Sequence, residues 1–186
     1  MPRTSNKREK LLTAAQQLIY QQGFNQTSLA DIAEVSGVPL GNVYYYFKTK
    51  DELVRAVIED RHQQFKRLFD QLDELPDPRE RLYALLKTLE KNRAEVADYG
   101  CPIGSLCLEL NKEQSPVAPL ADDILKAMKV WVTRQFREMG CNKPEPLGVR
   151  FIVTLQGASM VANALHKPGI VSQQFDWLRS WVQSIN

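Results

Sequence analysis

The sequence predicts an all-α protein, with an N-terminal three-helix helix-turn-helix domain followed by a larger C-terminal helical domain. Three observations carry this. Nothing alternates apolar and polar with period two over the length of a strand. Apolar residues recur instead at helical spacing in segment after segment. The ten prolines and nine glycines fall mostly between those segments rather than in repeats, so both parts are expected to be ordered.

The first helix is expected over 7–22, with Leu11, Leu12, Ala15, Leu18 and Ile19 on one face and Gly23 as its stop. Ser28 then opens a second helix as N-cap, with Asp31 three residues on as the reciprocal acidic cap. Leu29, Ile32 and Ala33 form its apolar stripe until Ser36-Gly37 breaks the pattern with a residue tolerant of positive φ. Pro39 fits the first position of a third, short helix running to about Tyr46, because its fixed φ is already helical.

Two short helices joined by a Gly-containing turn match a helix-turn-helix whose second helix enters the major groove of DNA. Gly41 and Asn42 lie near the amino end of that helix, and Asn can pair with adenine N6 and N7. Leu40 offers only an apolar contact. Tyr44 and Tyr45 supply hydroxyls, and Lys48 and Lys50 ammonium groups, for gripping phosphates. Val43 and Phe47, four apart, are expected in the core, with at least one tyrosine facing outward.

Ser28, Ile32, Ala33, Gly37, Val38, Gly41, Tyr44, Phe47, Lys50 and Leu53 spell a pattern that resembles the amino-terminal domain of the TetR family of transcriptional regulators. The match covers roughly the first third of the chain. Leu40 departs from it, since relatives often carry a polar residue there. The resemblance implies that Tyr45 and Lys50 touch phosphates and that residues 39–42 and 44 face the groove. The expected DNA-binding set is Ser28, Leu29, Pro39, Leu40, Gly41, Asn42, Tyr44, Tyr45, Lys48 and Lys50.

The pair Thr49 and Glu52 forms a second capping box opening a long helix, about 50–72, that connects the DNA-binding domain (1–50) to the second domain (73–186). Pro76-Asp77-Pro78 ends it and starts a helix expected to run to about Ala97. The irregular segment 98–104 precedes a short helix near 105–111. Pro116 and Pro119 introduce a helix carrying Ile124, Leu125, Met128, Trp131, Val132 and Phe136, stopped by Gly140. After a break at Pro144 and Pro146, helices are expected over about 147–166 and 172–185.

These last two helices carry two apolar stripes each needing a partner. Phe175, Leu178 and Val182 form one stripe of the final helix, and Trp177 and Trp181 another. The penultimate helix combines Phe151, Ile152, Leu155, Met160 and Val161 with the small residues 157–159. A homodimer through a four-helix bundle satisfies them, as the TetR resemblance also implies. The expected interface is Phe151, Leu155, Met160, Phe175, Trp177, Leu178 and Trp181. A two-fold axis then places two recognition helices about 34–36 Å apart, which predicts a palindromic duplex site.

By itself, the aromatic and Met stripe of the second domain reads as core. The family resemblance adds that this domain binds a small, unidentified effector, with Tyr99, Cys101, Ser105, Met128, Trp131, Phe151, Leu155 and Gln156 as the expected lining. Residues 100–104 are further similar to a Gly-Cys-Pro-x-Gly stretch of a TetR subgroup with LmrA- and YxaF-like repressors. That stretch raises a thiol-based electrophile or redox sensor at Cys101. Six residues of helix separate Cys107 by about 9 Å of rise, beyond disulfide reach.

The formal charge of +2 argues against a protein coated in positive charge, so local clustering is the relevant signal: Arg3, Lys7, Arg8 and Lys10, then Lys48 and Lys50. No apolar run approaches the roughly 18 residues that span a bilayer, the amino terminus lacks a signal-peptide core, and three cysteines fit a reducing compartment. A cytoplasmic protein without membrane contact is expected. With only His62 and His166, and no nucleophile elbow, phosphate loop or zinc-protease motif, an enzyme is not expected. Neither a metal nor a cofactor is expected, because no Cys or His pair shows tight ligand spacing. The sequence reading is therefore a dimeric, ligand-responsive DNA-binding regulator acting as a repressor. The alternatives are the Cys101 thiol sensor and a helical interaction module that binds no DNA.

Overall fold

The computed structural model describes residues 6–185, and all regular structure among them is helical. The elements are α1 (Lys7–Gln22), α2 (Leu29–Ser36), α3 (Leu40–Tyr46), α4 (Lys50–Asp73), α5 (Pro78–Glu90), α6 (Arg93–Tyr99), α7 (Gly104–Lys112), α8 (Ala118–Glu138), α9 (Pro144–Leu165) and α10 (Gly169–Ser184). No helix among the described residues is long and apolar enough to cross a membrane.

The chain divides into two compact units, and the division is not linear in sequence. Among the described residues the first comprises 6–63 together with 105–122, and the second 64–104 together with 123–185. Residues 105–122 were expected within the second domain. They group with the first, in which Leu106, Cys107, Leu110, Val117, Ala118 and Ala121 are buried and Glu109 bonds the backbone after α1.

In the first unit α1 packs on α2 and α2 on α3. Leu11, Ala15, Ile32, Val43 and Leu53 are fully or almost fully buried there. A 2.6 Å hydrogen bond from Gln16 Nε2 to Asp60 Oδ2 ties α1 to α4. The start of α4 is capped as its sequence suggests, with one shift: Thr49 Oγ1 accepts from Glu52 N–H at 3.1 Å, while the Glu52 carboxylate accepts from Lys48 N–H rather than from Thr49.

The second unit surrounds a core of Phe69, Leu82, Leu85, Leu86, Val132, Phe136, Phe151, Leu155, Phe175, Leu178 and Val182. Here α9 packs on α10 and α6, and α10 on α5. One buried polar network ties its helices together, while the buried Thr133 hydroxyl has no hydrogen-bond partner among the described residues. Gln135, fully buried, donates to Trp131 C=O and accepts from Arg81, which also bonds Leu75 C=O and Glu138. Trp131 Nε1 donates to Asp73 at 3.0 Å while its ring stacks on Phe69.

Four boundaries differ from expectation. Pro39 is the N-cap of α3 rather than its first helical residue, with ψ of 138°. The helix expected to run to Ala97 is broken at Lys91-Asn92: Asn92 N–H closes a tight turn onto Leu89 C=O, and Asn92 becomes the N-cap of α6. Pro144 and Pro146 lie inside the first turn of α9, where missing N–H groups have no helical partner to lose. The last helix begins at Gly169, three residues before the expected start.

Candidate nucleic-acid interface

The geometry starts at the α2 cap. Ser28 Oγ accepts from Asp31 N–H at 3.1 Å, and Asp31 Oδ2 accepts from Ser28 N–H at 2.8 Å and from its hydroxyl at 2.7 Å. The bond from the Ser28 backbone N–H, then that from its hydroxyl, holds the Asp31 carboxyl below its ordinary pKa. At the other end Gly37 takes φ 65°, a left-handed conformation that lets its N–H return to Glu34 C=O and Val38 N–H to Ala33 C=O. This closes the turn and sets the direction of α3.

Helix α3 is anchored by Val43 and Phe47, 0 % and 4 % exposed, as their spacing suggests. The Arg8 guanidinium lies over the Phe47 ring, 5.6 Å from its centroid. With that face fixed, the opposite face presents Pro39, Leu40, Gly41, Tyr44 and Tyr45 to solvent. Tyr45 is 83 % exposed and Tyr44 52 %, so two tyrosines face outward, in line with the expectation of at least one. Tyr45 meets Tyr46 edge to face at 5.1 Å. Asn42 and Leu29 are half-buried, while Ser28 and Lys48 are exposed, as are Lys7, Arg8 and Lys10 on α1. Arg3 lies outside the described residues. The arrangement offers hydroxyls, ammonium groups and a helix amino end on one unit, the chemistry that phosphate and base edges accept.

Lys50, expected to touch a phosphate, reaches toward the loop after α1 in this structure. Its ammonium donates to Asn25 C=O at 3.3 Å and sits 4.1 Å from the Phe24 ring centroid. Burial lowers its pKa, and the nearby Glu109 carboxylate opposes that shift.

The residues expected to line an effector pocket do not form one group. Met128, Trp131, Phe151 and Leu155 are packed into the core of the second unit, no more than 6 % exposed. Tyr99 and Ser105 are exposed, and Ser105 belongs to the first unit. Apart from that core, Cys101 and Gln156 come together around Gly104: Cys101 Sγ accepts from Gly104 N–H at 3.3 Å, and a Cβ on Gly104 would fall 2.3 Å from Gln156 Oε1. Among the described residues no group of three or more His, Cys, Asp and Glu converges as a metal site would require.

The expected dimer surface is corrected in part. Phe151, Leu155, Phe175 and Leu178 are at most 3 % exposed and belong to the protomer's own core. Met160, 68 % exposed, and Trp177, 42 %, do present surface, and half-buried Trp181 stacks on Trp177. Arg150 lies over both indoles. Sequence reasoning missed Val149, Val153 and Leu165, which continue the exposed strip on α9. The four-residue steps Val149, Val153 and Gly157, with Met160 between them around the helix, were the available signal.

Comparison with known proteins places the chain among bacterial regulators. The family model described as "Bacterial regulatory proteins, tetR family" matches residues 11–57. The HTH-type transcriptional regulator LmrA of Bacillus subtilis (strain 168) is 30 % identical over 169 residues, covering 89 % of this chain and 85 % of LmrA. An uncharacterized HTH-type transcriptional regulator in the lacX 3'region of Lactococcus lactis subsp. lactis is 27 % identical, over 97 % of this chain and 95 % of its own. The crystal structure of a TetR-family regulator from Agrobacterium tumefaciens shares the fold with a TM-score of 0.85, at 22 % identity over 97 % of this chain and 98 % of that one.

Proposed function

This chain belongs to the TetR family and is a DNA-binding transcriptional regulator rather than an enzyme, and on that premise we propose that it acts as a homodimeric repressor released from a palindromic operator by a small effector. The observation that carries the reading is α3: Val43 and Phe47 lock one face while Tyr44, Tyr45 and the amino-terminal Leu40 and Gly41 stand free on the other. In this reading Asn42 reads a base, Tyr44 and Leu40 lie in the groove, and Ser28, Tyr45 and Lys48 hold phosphates.

Dimerisation is supported by the apolar strip Val149, Val153, Met160, Val161 and Leu165 on α9, continued by Trp177 on α10, which the protomer leaves exposed. A strip of this kind marks an interaction surface. The effector acts on the second unit and shifts α4, which runs unbroken from one unit into the other. Such a switch needs the effector to prefer one spacing of the two reading heads. On this reading the protein works in the cytoplasm, where the chromosome is.

Enrichment of duplexes from a random pool by the purified protein tests the proposal. The expected product is an inverted repeat, bound with a steep negative dependence on salt because phosphates are neutralised. Failure to enrich any sequence, or salt-insensitive binding, would contradict it.

A second reading is favoured by the Cys101 geometry. The thiol accepts a bond from the first residue of α7 while Gln156 fills the space beside Gly104. Addition of that sulfur across the double bond of N-ethylmaleimide would place new bulk at this crowded helix start. Loss of duplex affinity on treatment, abolished in Cys101→Ser, supports a thiol sensor, and unchanged affinity contradicts it.

A further inference from the structure

The loop between α1 and α2 is held by a residue from a distant part of the sequence. Glu109, half-buried on α7, lays both carboxylate oxygens on successive backbone N–H groups: Phe24 N–H donates to Oε2 and Asn25 N–H to Oε1, each at 2.8 Å. Gly23 makes room for this approach. A Cβ there would stand 3.1 Å and 3.2 Å from the two oxygens, and its φ of 90° is one that other residues rarely adopt.

The same two residues are gripped from their other polar groups by Lys50, through Asn25 C=O and the Phe24 ring face. The loop beyond is internally tied. Thr27, almost fully buried, donates from Oγ1 to Gly23 C=O at 2.7 Å and accepts from Gln22 Nε2. Ser28, the α2 cap, follows at once. A displacement at residues 24–25 therefore passes to the start of α2.

We propose that Glu109 is a positioning residue for DNA binding, the carboxylate that fixes the α1–α2 loop, and with it the α2 cap, in the geometry that engages a duplex. The proposal rests on the reading of this chain as a duplex-binding regulator. Glu109 touches no DNA in this account and acts through backbone. The residue must be a carboxylate because two neighbouring N–H groups demand two acceptors, and bonds to a charged acceptor are the stronger kind. A glutamine supplies one acceptor and turns its own N–H₂ against the second donor.

Glu109→Gln and Glu109→Asp test this in the full-length protein, with two readouts. Amide hydrogen exchange should quicken about tenfold or more at Phe24 and Asn25 while the interior amides of α1 and α2 keep their protection. Affinity for a duplex enriched by the wild-type protein should fall about tenfold, with base preference unchanged. Glu109→Asp, which keeps the charge but retracts it by one methylene, should show the same local exchange and a smaller loss of affinity. Unchanged exchange at both amides, or faster exchange with affinity within about twofold of wild type, would overturn the proposal. Failure of the wild type to enrich any duplex would instead overturn the regulator reading itself, and this inference with it.

Discussion

At the residue scale the α2 cap carries a pH signature. Hydrogen bonds from Ser28 depress the folded-state pKa of Asp31, so the cap's contribution to stability is fully present above the unfolded carboxylate value. It is lost as pH falls through the lower, folded-state value. Thermal unfolding of wild type and Asp31→Asn should therefore differ most at neutral pH and converge in acid. A gap that stays constant into acid would contradict the assignment. On the exposed face of α3, Tyr45→Phe should weaken all duplexes by a few fold, since a phosphate contact carries no sequence information. Asn42→Ala should instead relax preference at one or two base pairs, a loss of about 1–3 kcal/mol of discrimination. Competition binding with a panel of single-substituted duplexes separates the two. Equal losses on specific and non-specific DNA for Asn42→Ala would remove its base-reading role.

Elements were legible where their ends are written locally. Ser28 with Asp31, Gly37, Thr49 with Glu52, and Asp77 before Pro78 all mark termini within a turn of the boundary, and those boundaries hold in the structure. The break at Asn92 was not legible, because its surroundings carry no Gly or Pro and the apolar spacing continues through it. The clamp at Glu109 was illegible for a different reason. Its partners lie 84 and 85 positions away, and no local pattern reports a contact of that range. Its trace in the sequence is a single acid set among Leu106, Cys107 and Leu110.

The packing of α8 against α9 gives a sharper element-scale expectation. A Cβ at Gly148 would fall 2.1 Å from Thr133 Oγ1 and 3.1 Å from its backbone Cα, in a place where Thr133 is buried. The near side chain can rotate, but the backbone contact cannot be relieved without moving a helix. Gly148→Ala should destabilise the fold by about 1–3 kcal/mol through overpacking, measured by urea unfolding. A neutral result would mean that the two helices separate freely.

For the whole molecule, composition could announce an apolar surplus but could not apportion it. Phe151 and Phe175 serve the protomer's core, whereas Val153 and Met160, on the same two-helix layer, face solvent. Which residue goes where depends on the rotation of α9 about its axis, and that is set by long-range packing with α6 and α10. The effector lining failed on the same point, since Met128 and Trp131 look alike in sequence whether they fill a core or border a cavity. Val153→Glu, which puts a charge into the exposed strip without touching the core, should yield a folded monomer in analytical ultracentrifugation.

The central claim is a two-fold pair of reading heads on one duplex. Sedimentation of the wild-type protein on its own enriched duplex measures this directly, together with the symmetry of that duplex. The account predicts two chains per inverted repeat, with half-site centres about 34–36 Å apart along the helix axis. One chain bound to an asymmetric site would contradict it.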